Sequence, residues 1–386
     1  MTRNNKIKKI KKSAQVNYKK LKEPKTCNLK DYVDYYVKEE LAADYIYKTY
    51  PKKSISDPTQ TDPLAIAVNK YLKILPLGEH TSYSYLWEGI YKILKEDGEK
   101  FARRGYIPVL KRAEKPYINI VKTRNQLAQK QGYKTFVEFH LSETAKISPK
   151  EYQSFLKNKD KVIKFCQKQI PKVKTPSWFY SQFNNSPCFL CQLPTFPQID
   201  FPGGVIDFVA EEYPIIKKFR DKIKIKESNQ ISNIQYIKET DIFEINIYKE
   251  RNKRHHIVNL IHELSHVVAI LKNFNLISQS KYQHELEGTK IELGLLKKLS
   301  PKLYQENIAS MLITFYKISF EIETCKNPIQ NLPTLYAKTI NYHLPKSKQT
   351  KNYTYLINQN FITHPLRNLP HAMAYVKLIS DKDNSC

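Results

Sequence analysis

The segment His262-Glu263-Leu264-Ser265-His266 carries the clearest chemistry in the chain. Two histidines at i and i+4 leave one face of a helix about one turn apart, so both imidazoles can bind one zinc ion. Glu263, at i+1, then points toward a water in the fourth metal position, where it can serve as general base. A catalytic zinc takes three protein ligands and a water, so a third ligand must come from elsewhere. The following segment offers His284-Glu285-Leu286-Glu287-Gly288 and then Glu292. Glu285 and Glu287 lie about 200° apart around a helix, so only one of them can face the metal. Glu285 is preferred, because Gly288 and Glu292, at i+3 and i+7, share its face. A glycine there lets the second helix approach the first closely, and Glu292 can then orient a histidine ligand. Glu287 stays open as the alternative, and His284 reads as a surface or supporting residue. One zinc per chain is expected.

The motif has a suitable support. Ile257, Leu260, Ile261, Leu264, Val267, Val268 and Leu271 form a broad apolar stripe at helical spacing. The helix should therefore be buried on the faces that the histidines leave free.

An HExxH followed on a second helix by a ligand glutamate is the pattern of the gluzincin metallopeptidases. His284-Glu285-x-x-Gly288-x-x-x-Glu292 resembles the second motif of their mostly helical members. These are the oligoendopeptidase F and thimet oligopeptidase family, the angiotensin-converting-enzyme-like peptidases and the Taq-type carboxypeptidases. Upstream, Arg124-Asn125-x-x-Ala128-x-x-x-Gly132-Tyr133-x-x-Phe136 is similar to a helix-turn of the oligoendopeptidase F family, where it is a scaffold element. The chain departs from the pattern in three places, the first being its shortness, from which part of the usual N-terminal helical lobe is expected to be missing. His266 and Glu285 are 19 positions apart, a short gap for this group, and Ser265 stands where those families mostly have Gly.

The resemblance implies a mainly α, multi-helix gluzincin peptidase fold with a small β-hairpin or sheet at the cleft rim. It implies a zinc-dependent enzyme that cuts internal bonds of short peptides, with a carboxypeptidase of the same fold as the alternative, and the sparse cysteines place the expected enzyme in the cytoplasm. In that architecture the strand Phe243–Glu250 would supply the edge that pairs with substrate. It also implies a downstream Tyr or His that stabilises the oxyanion. Tyr353, Tyr355, His364, His371 and Tyr375 are the candidates, and His371 and Tyr375 share one helix face at i and i+4.

Composition narrows the other possibilities. The 386 residues are 41% hydrophobic and 26% charged, which is enough apolar material for one large or two ordinary domains. The nine glycines make no GxGxxG, and none precedes the Lys-Ser/Thr of a phosphate loop. No apolar run approaches the length of a membrane span. The six cysteines are sparse and irregular, and the Cys188-x-x-Cys191 pair has no second pair to complete a zinc site, so reduced thiols are expected. The net charge is +27, and residues 1–25 hold ten Lys or Arg against one acid, Glu23. That block can make weak contact with polyanions, and a basic nucleic-acid-binding protein is the alternative from outside enzymes.

The elements that must position the motif can be read from periodicity. Helices are expected over about 31–50, 64–74, 83–98 and 100–113, from Pro116 to a turn at Gly132 and again from there to Leu141, and over 205–222, 255–273, 282–299, 303–324 and 368–380. Pro51–Pro63 reads as a linker and Pro171–Pro202 as an irregular connector. Residues 231–237 and 242–250 alternate as two strands. Pro328, Pro333 and Pro345 are expected to break the chain. The implied domains are a basic tail over 1–30, a helical lobe over 31–225 and a catalytic lobe over 226–386.

Overall fold

A computed structural model describes residues 107–170, 199–228, 233–237, 239–248, 253–357, 361 and 365–383. The basic tail, the helices expected before residue 107, the Pro51–Pro63 linker, most of the Pro171–Pro202 connector, the Cys188–Cys191 pair and His364 lie outside these residues. The described chain is mainly α, with ten α-helices and one three-stranded sheet. It divides into two compact units. One comprises 1–137, 174–187 and 319–366, and the other 138–173, 188–318 and 367–386.

In the first unit, α1 runs Ile107–Lys130 with Pro116 inside it. The two helices expected on either side of that proline are one helix, because an interior proline removes a single N–H from the ladder. The turn after α1 is made by Gly132 at φ 89°, a left-handed conformation that suits glycine. The Arg124–Phe136 motif is a brace. Asn125 Nδ2 donates to the Cys325 carbonyl at 2.7 Å, and Asn125 Oδ1 accepts from the Phe136 N–H at 2.9 Å. Arg124 donates to the Phe361 carbonyl at 2.9 Å. The interior holds an aromatic cluster, with Phe320 at 4.7 Å from Tyr336 and 5.1 Å from Tyr355, ring centre to centre.

The second unit begins with α2 (Phe136–Phe139), which straddles its boundary, and a short π-helical turn. Helix α3 (Pro149–Lys168) starts on a capping box, in which Ser148 and Glu151 satisfy each other's backbone N–H groups. Then come α4 (Gly203–Glu212) and α5 (Ile215–Phe219). The sheet follows, with β1 Ile223–Ser228, β2 Asn233–Ile237 and β3 Ile242–Tyr248 in the order β1-β3-β2. Strands β2 and β3 form the expected hairpin, with Tyr236 opposite Phe243, and β1 joins β3 in parallel. This corrects one expectation. The strand that starts at Ile242 is central and has neighbours on both sides, so its backbone cannot pair with a substrate; among the described residues the free edges belong to β1 and β2.

The remaining helices are α6 (Lys253–Lys272), α7 (Lys281–Leu299), α8 (Pro301–Lys326), α9 (Leu332–His343) and α10 (Leu369–Asp383). Helix α8 gives Pro301–Ile318 to the second unit and its remainder to the first, which also holds α9. Pro333 does not break the chain: it lies in the first turn of α9, where Asn331 caps the Thr334 N–H. In the second unit α6 packs on α7, on α4 and on β2 and β3, and α7 packs on α10. The apolar core joins Phe243, Ile245 and Ile247 to the α6 stripe, all seven members of which are buried. Among the described residues no helix is long and apolar enough to cross a membrane.

Candidate active site

Helix α6 brings His262 and His266 to one face, and their Nε2 atoms stand 3.2 Å apart. Oε2 of Glu285, from α7, lies 4.0 Å from Nε2 of His262 and 3.8 Å from Nε2 of His266. Ligand atoms about 2.0–2.2 Å from a tetrahedral ion stand about 3.3–3.6 Å apart, so these three atoms fit one metal. Glu285 is therefore the acid of α7 that meets both imidazoles. Glu287, two residues on, makes no ion pair with any described residue. Burial lowers the His284 imidazole, which faces the Leu276 backbone instead.

His371, from α10, places Nδ1 3.1 Å from Oε2 of Glu285. One ligand atom each from His262, Glu285 and His371 also lies within 4.8 Å of the others. The site thus has four nitrogen and oxygen donors close together. The side chains of His262 and His371 are 22% and 25% exposed, which leaves a side open to solvent.

The close packing depends on Gly288. A Cβ at that position would stand 2.5 Å from both Cε1 and Nδ1 of the His266 ring, so only glycine lets α7 pass the ring. One turn on, Oε2 of Glu292 lies 3.0 Å from Nδ1 of His262. That contact fixes the ring and turns Nε2 toward the cluster. Ser265 is fully buried and donates its hydroxyl to the Ile261 carbonyl at 2.6 Å, so it satisfies itself within the helix.

The cluster is electrostatically unbalanced in a way that suits a cation. Burial pulls the His262 imidazole down, but Glu292, Glu263 and Glu285 outweigh it and raise it to about 10. Burial and the His262 charge lower His266 to about 4. Burial raises Glu263 to about 7, against the opposing pull of His262. Burial also opposes ionisation of Glu285, yet the His371 contact and the two other histidines hold it below the usual carboxylate range. Three carboxylates, Glu263, Glu285 and Glu292, among three imidazoles favour a bound positive charge, either a proton or a metal ion.

The other candidates are placed differently. Tyr375 is 1% exposed, and its hydroxyl accepts from Asn307 Nδ2 at 2.8 Å. Tyr353 and Tyr355 belong to the first unit, where the Tyr355 hydroxyl donates to Glu114 at 3.2 Å. Asn307 lies outside every motif of the sequence. Its one signal is a polar residue on the stripe Leu303, Asn307, Met311 of α8, all three buried.

No family model matches the chain, and no curated protein does. Solved structures do. A solved structure of PZ peptidase A with an inhibitor is 14% identical over 92% of this chain and 70% of its own, with a TM-score of 0.53. An oligoendopeptidase F is 12% identical over 92% of this chain and 71% of its own, with a TM-score of 0.51. The chain has a helical peptidase fold. Within that fold, His262, His266 and Glu285 lie on the two packed helices α6 and α7, and His371 on α10.

Proposed function

We propose that the chain is a zinc-dependent peptidase that hydrolyses internal bonds of short peptides. One observation carries the reading: Nε2 of His262, Nε2 of His266 and Oε2 of Glu285 are 3.2–4.0 Å apart, a spacing that suits one ion. Those three residues would hold the metal, which when bound supplies a Lewis acid for the scissile carbonyl and lowers the pKa of a water. Glu263 follows His262 on α6, and burial raises its carboxyl, which suits a group that takes up and returns a proton. It would take the proton from the attacking water and return it to the leaving amine. His371 is partly exposed beside Glu285 and would donate to the developing oxyanion. An extended peptide would pair with the free edge of β2, since β3 is enclosed.

A second reading, release of residues from the C-terminus, is favoured by Arg367 and Lys281. Their charges reach Glu263 and Glu285 respectively, and a cation near the reacting bond suits a terminal carboxylate. We place the enzyme in the cytoplasm, a reading supported by the free thiols Cys166 and Cys325.

The test starts from protein purified without chelator. Its metal content is measured by elemental mass spectrometry, and internally quenched peptides of a few to about fifteen residues serve as substrates. About one zinc per chain and cuts within the peptides are expected, with activity removed by chelator and restored by zinc. Protein that takes up no transition metal, or zinc-loaded protein that leaves every peptide intact, defeats the proposal. Products shortened only from the C-terminus select the second reading.

A further inference from the structure

We propose that Asn307 and Tyr375 are positioning residues that fix the Glu292 carboxylate and, through it, the His262 ring. The inference rests on the metal-site reading above. Oε1 of Glu292 lies 3.3 Å from Nδ2 of Asn307, while Oε2 faces Nδ1 of His262 at 3.0 Å. A carboxylate only accepts, so the amide nitrogen of Asn307, and not its oxygen, must face Glu292. The second hydrogen of that nitrogen has the Tyr375 oxygen as its acceptor, 2.8 Å away. Both donors of Nδ2 are then used, and the amide cannot turn over without losing both bonds.

Glu292, Asn307 and Tyr375 are 3%, 7% and 1% exposed. They come from α7, α8 and α10, so one buried polar chain links three helices to the HExxH helix. Buried polar groups are costly unless paired, and an apolar set of the same volume would serve packing alone at least as well. What the polar chain adds is direction. Each member fixes the orientation of the next, and the last contact is Nδ1 of His262, which leaves Nε2 to face Glu285 and His266. Tyr375 thereby supports the site from behind. Its hydroxyl is occupied and closed to solvent, so it does not touch substrate.

The test compares wild type with Asn307→Leu and Tyr375→Phe, two near-isosteric changes that remove the amide and the hydroxyl. Zinc affinity is read by competition with a chromophoric chelator, and ligand geometry by the visible absorption of the cobalt-substituted protein. Thermal unfolding is followed on the metal-free protein. Asn307→Leu is expected to raise the zinc Kd about 10- to 100-fold, the range for groups that orient a ligand, and to shift the cobalt bands. Tyr375→Phe should act in the same direction by less. An unchanged Kd and cobalt spectrum in Asn307→Leu, whatever its melting temperature, overturns the inference. If that variant does not fold, Tyr375→Phe decides by the same two readouts. A wild-type chain that takes up neither zinc nor cobalt overturns the metal-site reading, and this inference with it.

Discussion

Gly288 has no side chain because the His266 ring fills the space where one would stand. A methyl there meets two ring atoms at 2.5 Å, and the ring can yield only by moving Nε2 away from His262 and Glu285. Gly288→Ala is expected to raise the zinc Kd about 10- to 100-fold, as other losses of ligand orientation do, measured by chelator competition. Glu263→Gln separates binding from chemistry. It should keep the metal and lower kcat by about 10²- to 10⁴-fold, the usual weight of a general base. Glu285→Ala should lose the metal, and Glu287→Ala should keep it; the opposite result in a metal assay reverses the ligand assignment. His262, Glu263, His266, Glu285 and Glu292 were all legible in the sequence because each lies at a fixed helical spacing from another. Asn307 was not, because its partners are 15 and 68 positions away and only tertiary packing brings them together.

Helix α6 holds the histidines still because its other faces are buried. Leu264, between Glu263 and His266, is fully buried in the core of the second unit. Leu264→Ala should cost about 2–5 kcal/mol in a denaturant titration, the range for a leucine cavity. At the helix entrance α3 depends on its cap, and Ser148→Ala should cost about 1 kcal/mol. Helices α6, α7, α8 and α10 could be read from their apolar period, to within two or three residues at each end, whereas the 20-residue α3 is not among the expected helices. The short elements could not be read either. Strand β1 has few apolar positions, Ile223 and Ile225, each followed by a lysine, and gains its place only by pairing with β3. Helix α9 was hidden by Pro333, since a proline reads as a breaker unless the cap before it is recognised. The central position of β3 is likewise a matter of topology, which no local alternation encodes.

Among the described residues, two buried free thiols report on the two units separately. Cys166 belongs to the second unit and Cys325 to the first, and burial pushes each up to about 12. An unfolded thiol ionises near pH 8.5, so each holds its proton more tightly when folded. Their contribution to stability is intact below about pH 8.5 and is lost as pH rises toward the folded value. At pH 8 both should resist alkylation in the native protein and react on unfolding, because the thiolate is the nucleophile. Peptide-resolved mass spectrometry along a urea series would give one midpoint for each. Zinc should raise the Cys166 midpoint, and equal movement of Cys325 would mean that the units unfold as one. The sheet bears on how whole molecules meet one another. Its two outer strands are both templates for a further strand, but they are not equally guarded. Lys224 and Lys226 are exposed on β1, whereas β2 presents the uncharged Asn233 and Gln235. The two lysines, Lys226 paired with Glu244 on β3, discourage a second chain from docking along β1. Clearing the lysines, as in Lys224→Val with Lys226→Val, should turn β1 into an adhesive seam, visible as concentration-dependent light scattering, while β2 stays available to a peptide.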